Sequence, residues 1–395
     1  MTPQIYHALG LHMHQPPGNL KLLIEENPFE AEQIMRCYER AVRYANLLQD
    51  AACLQVGFSG ILLEQFLDPE IIEKYAPFIN IPDMLDRYGK ANNIELIGMG
   101  YYHPIFPLIP QRDWQEHLVR GKEIVEKAFG RSPTGFWPPE MAFCMEMIPA
   151  LVEVGYSYVV VDGVHIKPES GILDIYKPYR ATYEGKTIAI IPRERDISNA
   201  QESGTDPVWF DREVCQKVAH SPAPDAPRLV TTWSDGENGG WFRQMHEQSG
   251  FFGHFFTPFI EMIRNNSTSL RSLKLSDYLQ EHPPEEEAFV QTGAWNVGNT
   301  SGFDLSQWAG SEAQKQAVET ICRVSDRYWK IVDSGNNLSA TGQQFLIEAR
   351  EWILEGETSC FLFWGDDWVP KLYDRTRPAE ALLDRVESEL LALTH

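Results

Sequence analysis

Ile5-Tyr6-His7-Ala8-Leu9-Gly10-Leu11-His12-Met13-His14-Gln15-Pro16-Pro17 is an apolar run that ends abruptly in polar residues and a pair of prolines. Residues 5–12 have the length and composition of a buried strand, and the prolines stop its continuation. The same kind of run returns along the chain, predicting strands at 54–58, 94–97, 135–137, 158–161, 188–191 and 229–233. Between them, amphipathic patterns predict helices at 31–48, 71–88, 114–129 and 145–154. Alternation of this kind points to a parallel sheet, and seven or so units suggest closure into a barrel. Periodicity alone does not separate a barrel from an open sheet.

The run Glu281-His282-Pro283-Pro284-Glu285-Glu286-Glu287 reads as a solvated loop and a domain boundary. Beyond it the pattern changes to three helices, at 312–332, 343–354 and 378–391, with no convincing strand between them. The expected organisation is a barrel over residues 1–285 and a helical domain over 286–395 packed on it as a bundle.

Composition narrows the function classes. The 395 residues carry 34 Lys and Arg against 56 Asp and Glu, for a net charge of −22. Such a surface repels phosphate backbones and anionic lipid, which sets aside nucleic acid and membrane surfaces as partners. A neutral substrate such as a sugar feels no such repulsion. Hydrophobic residues make up 43%, enough for a folded core. Cys37, Cys53, Cys144, Cys215, Cys322 and Cys360 lie far apart without a Cys-x-x-Cys pair, which argues against a zinc ribbon or disulfide framework and fits a reducing compartment. The N-terminus lacks a basic region followed by an apolar run, and no apolar stretch of ~18 residues occurs. A cytoplasmic location is therefore expected, and the glycosylation-type matches at Asn299 and Asn337 carry no weight. Oligomeric state is not legible.

Several predicted strands end in polar and aromatic clusters: His12–Pro17, Gly98–Pro104 (containing Tyr101-Tyr102-His103), Trp137-Pro138-Pro139-Glu140, and Thr232-Trp233-Ser234-Asp235-Gly236-Glu237-Asn238-Gly239-Gly240-Trp241. In parallel α/β barrels the C-terminal strand ends share one mouth, where catalytic residues collect. Glu140 follows a stiff Trp-Pro-Pro segment that fixes the aim of its carboxylate, although an acid at a helix start is also an ordinary cap. Asp235 and Glu237 sit among glycines and tryptophans, which admit a ligand to the backbone and offer flat faces for sugar rings; a plain turn is the alternative. His12 and His14 face the same side of a strand, suited to hydrogen bonding or, with His103, to a metal. No nucleophile elbow, phosphate loop or dinucleotide fingerprint is present, and neither cofactor nor metal is expected. Paired carboxylates in an aromatic cleft are the equipment of glycoside cleavage.

These clusters resemble the motifs of glycoside hydrolase family 57. His14-Gln15-Pro16, preceded by His12, is similar to its first motif, and Glu95-Leu96-Ile97-Gly98 leading to Tyr102-His103-Pro104 to its second. Trp137-Pro138-Pro139-Glu140 resembles the third and Ser234-Asp235-Gly236-Glu237 the fourth, while Arg193-Glu194-Arg195-Asp196-Ile197-Ser198-Asn199 looks like the segment between them. Gly293-Ala294-Trp295 is the suggested fifth. The resemblance implies a distorted (β/α)7 barrel with a C-terminal helical region, retaining chemistry and α-glucan substrates. It places the nucleophile at Glu140 and the general acid/base at Asp235. Glu237, His12, His14, Gln15 and His103 would bind the cleaved sugar's hydroxyls and neighbours, with Trp137, Trp233, Trp241, Trp295 and Trp364 as the aromatic surface. The chain departs from the family pattern at Asn238 and Gly239, where a basic residue and an aromatic are usual, and at 359–367, where an aromatic-rich element is thinned and its first Asp is missing. Hydrolysis and glucosyl transfer both fit. So do two other classes: a metal-dependent carbohydrate enzyme of deacetylase or mannosidase type using His12, His14 and Asp235, and a non-catalytic glucan-binding or regulatory protein.

Overall fold

The computed structural model describes residues 4–297, 300–335 and 337–393, so Asn299 lies outside the described residues. Seven strands form the barrel: β1 (Ile5–Met13), β2 (Leu54–Phe58), β3 (Ile94–Gly98), β4 (Gly135–Phe136), β5 (Tyr158–Asp162), β6 (Lys186–Arg193) and β7 (Arg228–Asp235). Each pairs in parallel with the next, and β7 returns to β1 in register from Ile5↔Arg228 to His12↔Asp235, which closes the sheet. The β6–β7 seam is the loosest, joined at Arg193↔Thr231. β2, β3 and β5 are buried at every residue, because one face fills the barrel and the other packs under helices. Trp137 and Trp233 fill the interior, stacked with ring centres 6.5 Å apart. A Cβ on Gly10 would lie 2.0 Å from the Trp233 ring, so glycine in β1 makes room for that indole.

The seven strands fall where the sequence places them, to within a few residues at their ends. Additional short strands escaped sequence reading. Tyr179–Tyr183 runs antiparallel to β6, Leu270–Ser272 lies parallel to the start of β1, and Ile166–Pro168 pairs antiparallel with Ala288–Val290. The helix expected at 71–88 is two helices, Pro69–Tyr75 and Ile81–Lys90. The second begins afresh because Asn80 accepts the Asp83 N–H and Pro82 sits in the first turn, where its missing N–H costs nothing. The last helix starts at Val369, not 378; Pro378 lies inside it.

After the acidic loop the chain rejoins the barrel. Ala288–Val290 pairs as above, Gly293 bridges to Phe143, and the helical region opens with Glu312–Asp333, capped by a Ser311–Gln314 box. Ala340–Gly356 and Val369–Leu393 complete the bundle. A buried polar knot ties it to the barrel: Asp113, on the helix Gln111–Phe129, accepts Arg350 Nη1 at 2.6 Å, Ser325 Oγ at 2.5 Å and Trp329 Nε1 at 2.7 Å. Removing one of these donors would leave a buried charge short of a partner, so the knot ties the bundle to the helix Gln111–Phe129.

Candidate active site

A cavity of about 270 Å³ opens at the C-terminal ends of the strands, lined from β1 by His12, His14 and Gln15, and from the ends of β4 and β7 by Glu140, Asp235 and Glu237. Trp295, from the segment after the acidic loop, and Cys360, Phe363, Trp364 and Trp368, from the helical region, close it.

Glu140 is fixed by its backbone. It adopts φ 58° and ψ 17°, a left-handed conformation that ordinary side chains avoid at a cost of roughly 1–2 kcal/mol. The Trp295 N–H donates to the Glu140 carbonyl at 3.0 Å, and Trp295 Nε1 donates to Glu140 Oε2 at 2.8 Å, so one residue clamps both ends of the acid. His103 Nδ1 lies 3.9 Å from Oε1. Burial first, and the Asp235 charge second, push the Glu140 carboxyl up to about 8, against the opposing Trp295 hydrogen bond. Asp235 is also raised by burial, opposed by the 2.8 Å hydrogen bond it accepts from Asn238 Nδ2. Burial thus raises both carboxyls, and the charge of Asp235 adds to the rise at Glu140, so the ionisation of one depends on the other.

Glu237 is almost wholly buried. Oε1 accepts the His14 N–H at 2.7 Å and Oε2 finds no partner among the described residues. Burial and then Asp235 hold it well above the usual carboxylate range. Arg243 closes this side, donating to the Glu237 carbonyl at 2.6 Å, to Glu30 at 3.0 Å and to Asn238 Oδ1 at 3.3 Å. It supplies a guanidinium near the position where Asn238 departs from the family pattern. Glu202, on the helix Arg195–Ser203 beside β7, is pushed up to about 7 by burial and by Asp235. Sequence reading missed Arg243 and Glu202 because no motif marks them.

The three histidines form a layered stack. His14 and His103 rings lie 3.9 Å apart at 7°, and His12 lies 4.1 Å from Trp137 at 22°. His12 Nε2 and His103 Nε2 are 3.1 Å apart; His103 Nδ1 meets Ser359 Oγ at 2.7 Å; His14 meets Ser59 Oγ at 2.8 Å and Cys360 Sγ at 3.0 Å. Burial pushes all three imidazoles down, His14 to about 3, so they are neutral at physiological pH. Among the described residues no group of three His, Cys, Asp or Glu side chains is arranged to hold a metal.

The aromatic surface needs correction. Trp137 and Trp233 are fully buried and absent from the cavity lining, packed in the barrel core. Trp241 packs on Phe251 and His254 away from the cavity lining. His103 is also fully buried and backs His12 and His14 without lining the cavity. Trp233 lies within β7, where alternation along the strand turns it into the barrel, whereas Trp137, Trp241 and His103 lie beyond the strand ends and are placed by the segments that follow them. Trp295 and Trp364 do line the cavity, joined by Phe363 and Trp368.

A barrel mouth where two carboxylates from different strand ends line one cavity is the layout of a carbohydrate-active (β/α) enzyme. Residues 8–291 match the model of Glycosyl hydrolase family 57, and the chain belongs to that family. It is 25% identical over 334 residues to Alpha-amylase 1 of Dictyoglomus thermophilum, covering 81% of this chain and 43% of that protein. It is 24% identical over 314 residues to the 4-alpha-glucanotransferase of Thermococcus litoralis, covering 78% and 42%. The chain thus spans less than half the length of these relatives. Its fold matches the crystal structure of a GH57-type branching enzyme from Pyrococcus horikoshii with TM-score 0.72 at 15% identity, over 97% of this chain and 88% of that one. No helix among the described residues is long and apolar enough to cross a membrane.

Proposed function

We propose that this protein is a retaining α-glucan-active enzyme, a hydrolase or glucanotransferase, working by double displacement with Glu140 as nucleophile and Asp235 as general acid/base. The observation that carries the reading is the pair itself: two buried carboxyls from the ends of β4 and β7, facing one cavity and raised together. Glu140 attacks the anomeric carbon while Asp235 gives its proton to the departing oxygen. Asp235 then takes a proton from water or from a sugar hydroxyl, and the glycosyl–Glu140 bond breaks with configuration retained. The Trp295 N–H suits the nucleophile role, since it stabilises the charged form of Glu140 in the free enzyme and again as the carboxylate leaves. Trp364, exposed at the rim, offers a face for the chain beyond the cleaved bond.

The amylase and glucanotransferase relatives support α-glucans as the substrate class. The metal-dependent alternative asks for at least three converging ligands, and among the described residues no such group of His, Cys, Asp or Glu side chains is found. The non-catalytic alternative leaves unexplained why a strained, doubly clamped Glu140 is kept. Cys37, Cys53, Cys144, Cys215, Cys322 and Cys360 are all unpaired thiols, which supports a reducing, cytoplasmic setting. The test is incubation with maltooligosaccharides and amylose, with products sized by chromatography and their anomers assigned by NMR. α-Configured products, with or without longer transfer products, are expected; initial β-anomers, or no turnover with glucan still bound, would overturn the reading.

A further inference from the structure

Asn238 precedes the short helix Gly239–Phe242 at the N-cap position, yet its side chain accepts no N–H from that turn. Its amide spans two charged groups instead. Nδ2 donates to Asp235 Oδ2 at 2.8 Å, and Oδ1 accepts from Arg243 Nη2 at 3.3 Å. A guanidinium only donates, so the carbonyl end of the amide is turned to Arg243 and the NH2 end to Asp235. The flipped amide would set donor against donor at Arg243 and oxygen against oxygen at Asp235. Arg243 is itself held in place, donating to the Glu237 carbonyl at 2.6 Å and to Glu30 at 3.0 Å.

This arrangement makes the two oxygens of Asp235 different. Oδ2 already meets an N–H, and a proton placed there would face that donor. Oδ1 takes no hydrogen bond among the described residues, so the proton of the acid form belongs on Oδ1. The charges around Asp235 act on it without direction. Arg193 and Arg243 favour its anion, while Glu140 at the end of β4, Glu202 on the helix Arg195–Ser203 and Glu237 on the same loop all feel its charge. His12, in register with it on β1, is buried and neutral. Among the described residues Asn238 alone hydrogen-bonds the carboxyl. A basic side chain at 238 would add a full charge that favours the anion, whereas a neutral amide directs the carboxyl with less pull on its proton.

We propose that Asn238, oriented by Arg243, is a positioning residue for Asp235: it holds Oδ2 and so keeps the acidic proton on Oδ1 for the glycosidic oxygen. The proposal rests on Asp235 being the general acid/base.

Asn238 is exposed, so its variants should fold. Enzyme labelled with ¹³C at the aspartate carboxyl is titrated by NMR, with Asp235→Asn marking the resonance. Asn238→Ala should move the Asp235 midpoint up, because the donor that favours the anion is gone. Asn238→Asp, which keeps the size but puts a charge in place of the donor, should move it further up. Midpoints that stay in place overturn the proposal. Kinetics then separate aim from structure. Maltotetraose needs a proton at its leaving oxygen, whereas an activated aryl α-maltoside departs without one. Asn238→Ala and Asn238→Asp should each lower kcat/KM on maltotetraose roughly tenfold, the loss of about one hydrogen bond, and hardly at all on the aryl maltoside. Equal losses on both substrates would make Asn238 merely structural and refute the proposal. If Asn238→Ala moves the midpoint as expected but Asp235→Ala still turns over maltotetraose fully, the acid/base reading fails while the hold on Asp235 stands.

Discussion

Trp295 Nε1 donates a 2.8 Å hydrogen bond to Glu140 Oε2 across 155 positions of sequence, and its backbone N–H holds the Glu140 carbonyl as well. The indole favours the charged form of Glu140, opposing the rise caused by burial and Asp235. Trp295→Phe keeps the ring's bulk and removes this donor. The Glu140 carboxyl should then rise further, so a rate that needs the anion should require a higher pH. The acid limb of the kcat/KM profile should move up, with a fall of roughly tenfold at neutral pH. An acid limb that stays in place would mean that Trp295 does not govern the ionisation of Glu140.

The same raised carboxyl predicts a stability effect. The folded chain holds the Glu140 proton more tightly than the unfolded chain, from an ordinary value of 4.5 to about 8. Ionising Glu140 therefore destabilises the fold progressively as pH rises between those values, by at most a few kcal/mol. Glu140→Gln removes that charge. By calorimetry the variant should melt above the parent at pH 9 and level with it near pH 4. Equal melting at both pH values would contradict the burial of the charge.

Core and rim tryptophans should separate cleanly. Trp137 and Trp233 are fully buried, and truncation of either to Ala should cost about 3–5 kcal/mol and lower Tm markedly. Trp364 is 60% exposed, so Trp364→Ala should leave Tm nearly unchanged while raising KM for longer maltooligosaccharides more than for maltotriose. Equal KM effects at every chain length would place Trp364 outside the path of the glucan.

How far the sequence carries this site follows from where its parts lie. The barrel was legible because its strands are short apolar runs with no polar face, a pattern set by burial on both sides. Glu140 and Asp235 stood out because proline and glycine around them are local signals. The side on which a strand-end residue points was not legible: Trp137 and Trp233 read as ligand surface and are core. Arg243 and Glu202 reach the site through tertiary placement alone, and for Ser359 and Cys360 the element at 359–367 marks the segment but not their contacts with His103 and His14. The break at residues 76–80 was hidden because Asn80 and Pro82 restart a helix whose apolar face continues across the gap.

Role separation is the sharpest test of the two acids. Glu140→Ala should abolish turnover of every substrate, since it removes the covalent route itself. With Asp235 in the proposed acid/base role, Asp235→Ala removes first the proton for the leaving group, then the base for deglycosylation. An activated aryl α-glycoside, whose leaving group departs without help, should still form the glycosyl-enzyme in that variant. With no base present the intermediate should accumulate and be seen by intact-protein mass. Azide, which needs no deprotonation, should then release it as a glycosyl azide of retained configuration. The adduct should map to the peptide containing Glu140. An adduct on another peptide, or full activity of Glu140→Ala on aryl glycosides, would remove Glu140 from the nucleophile role.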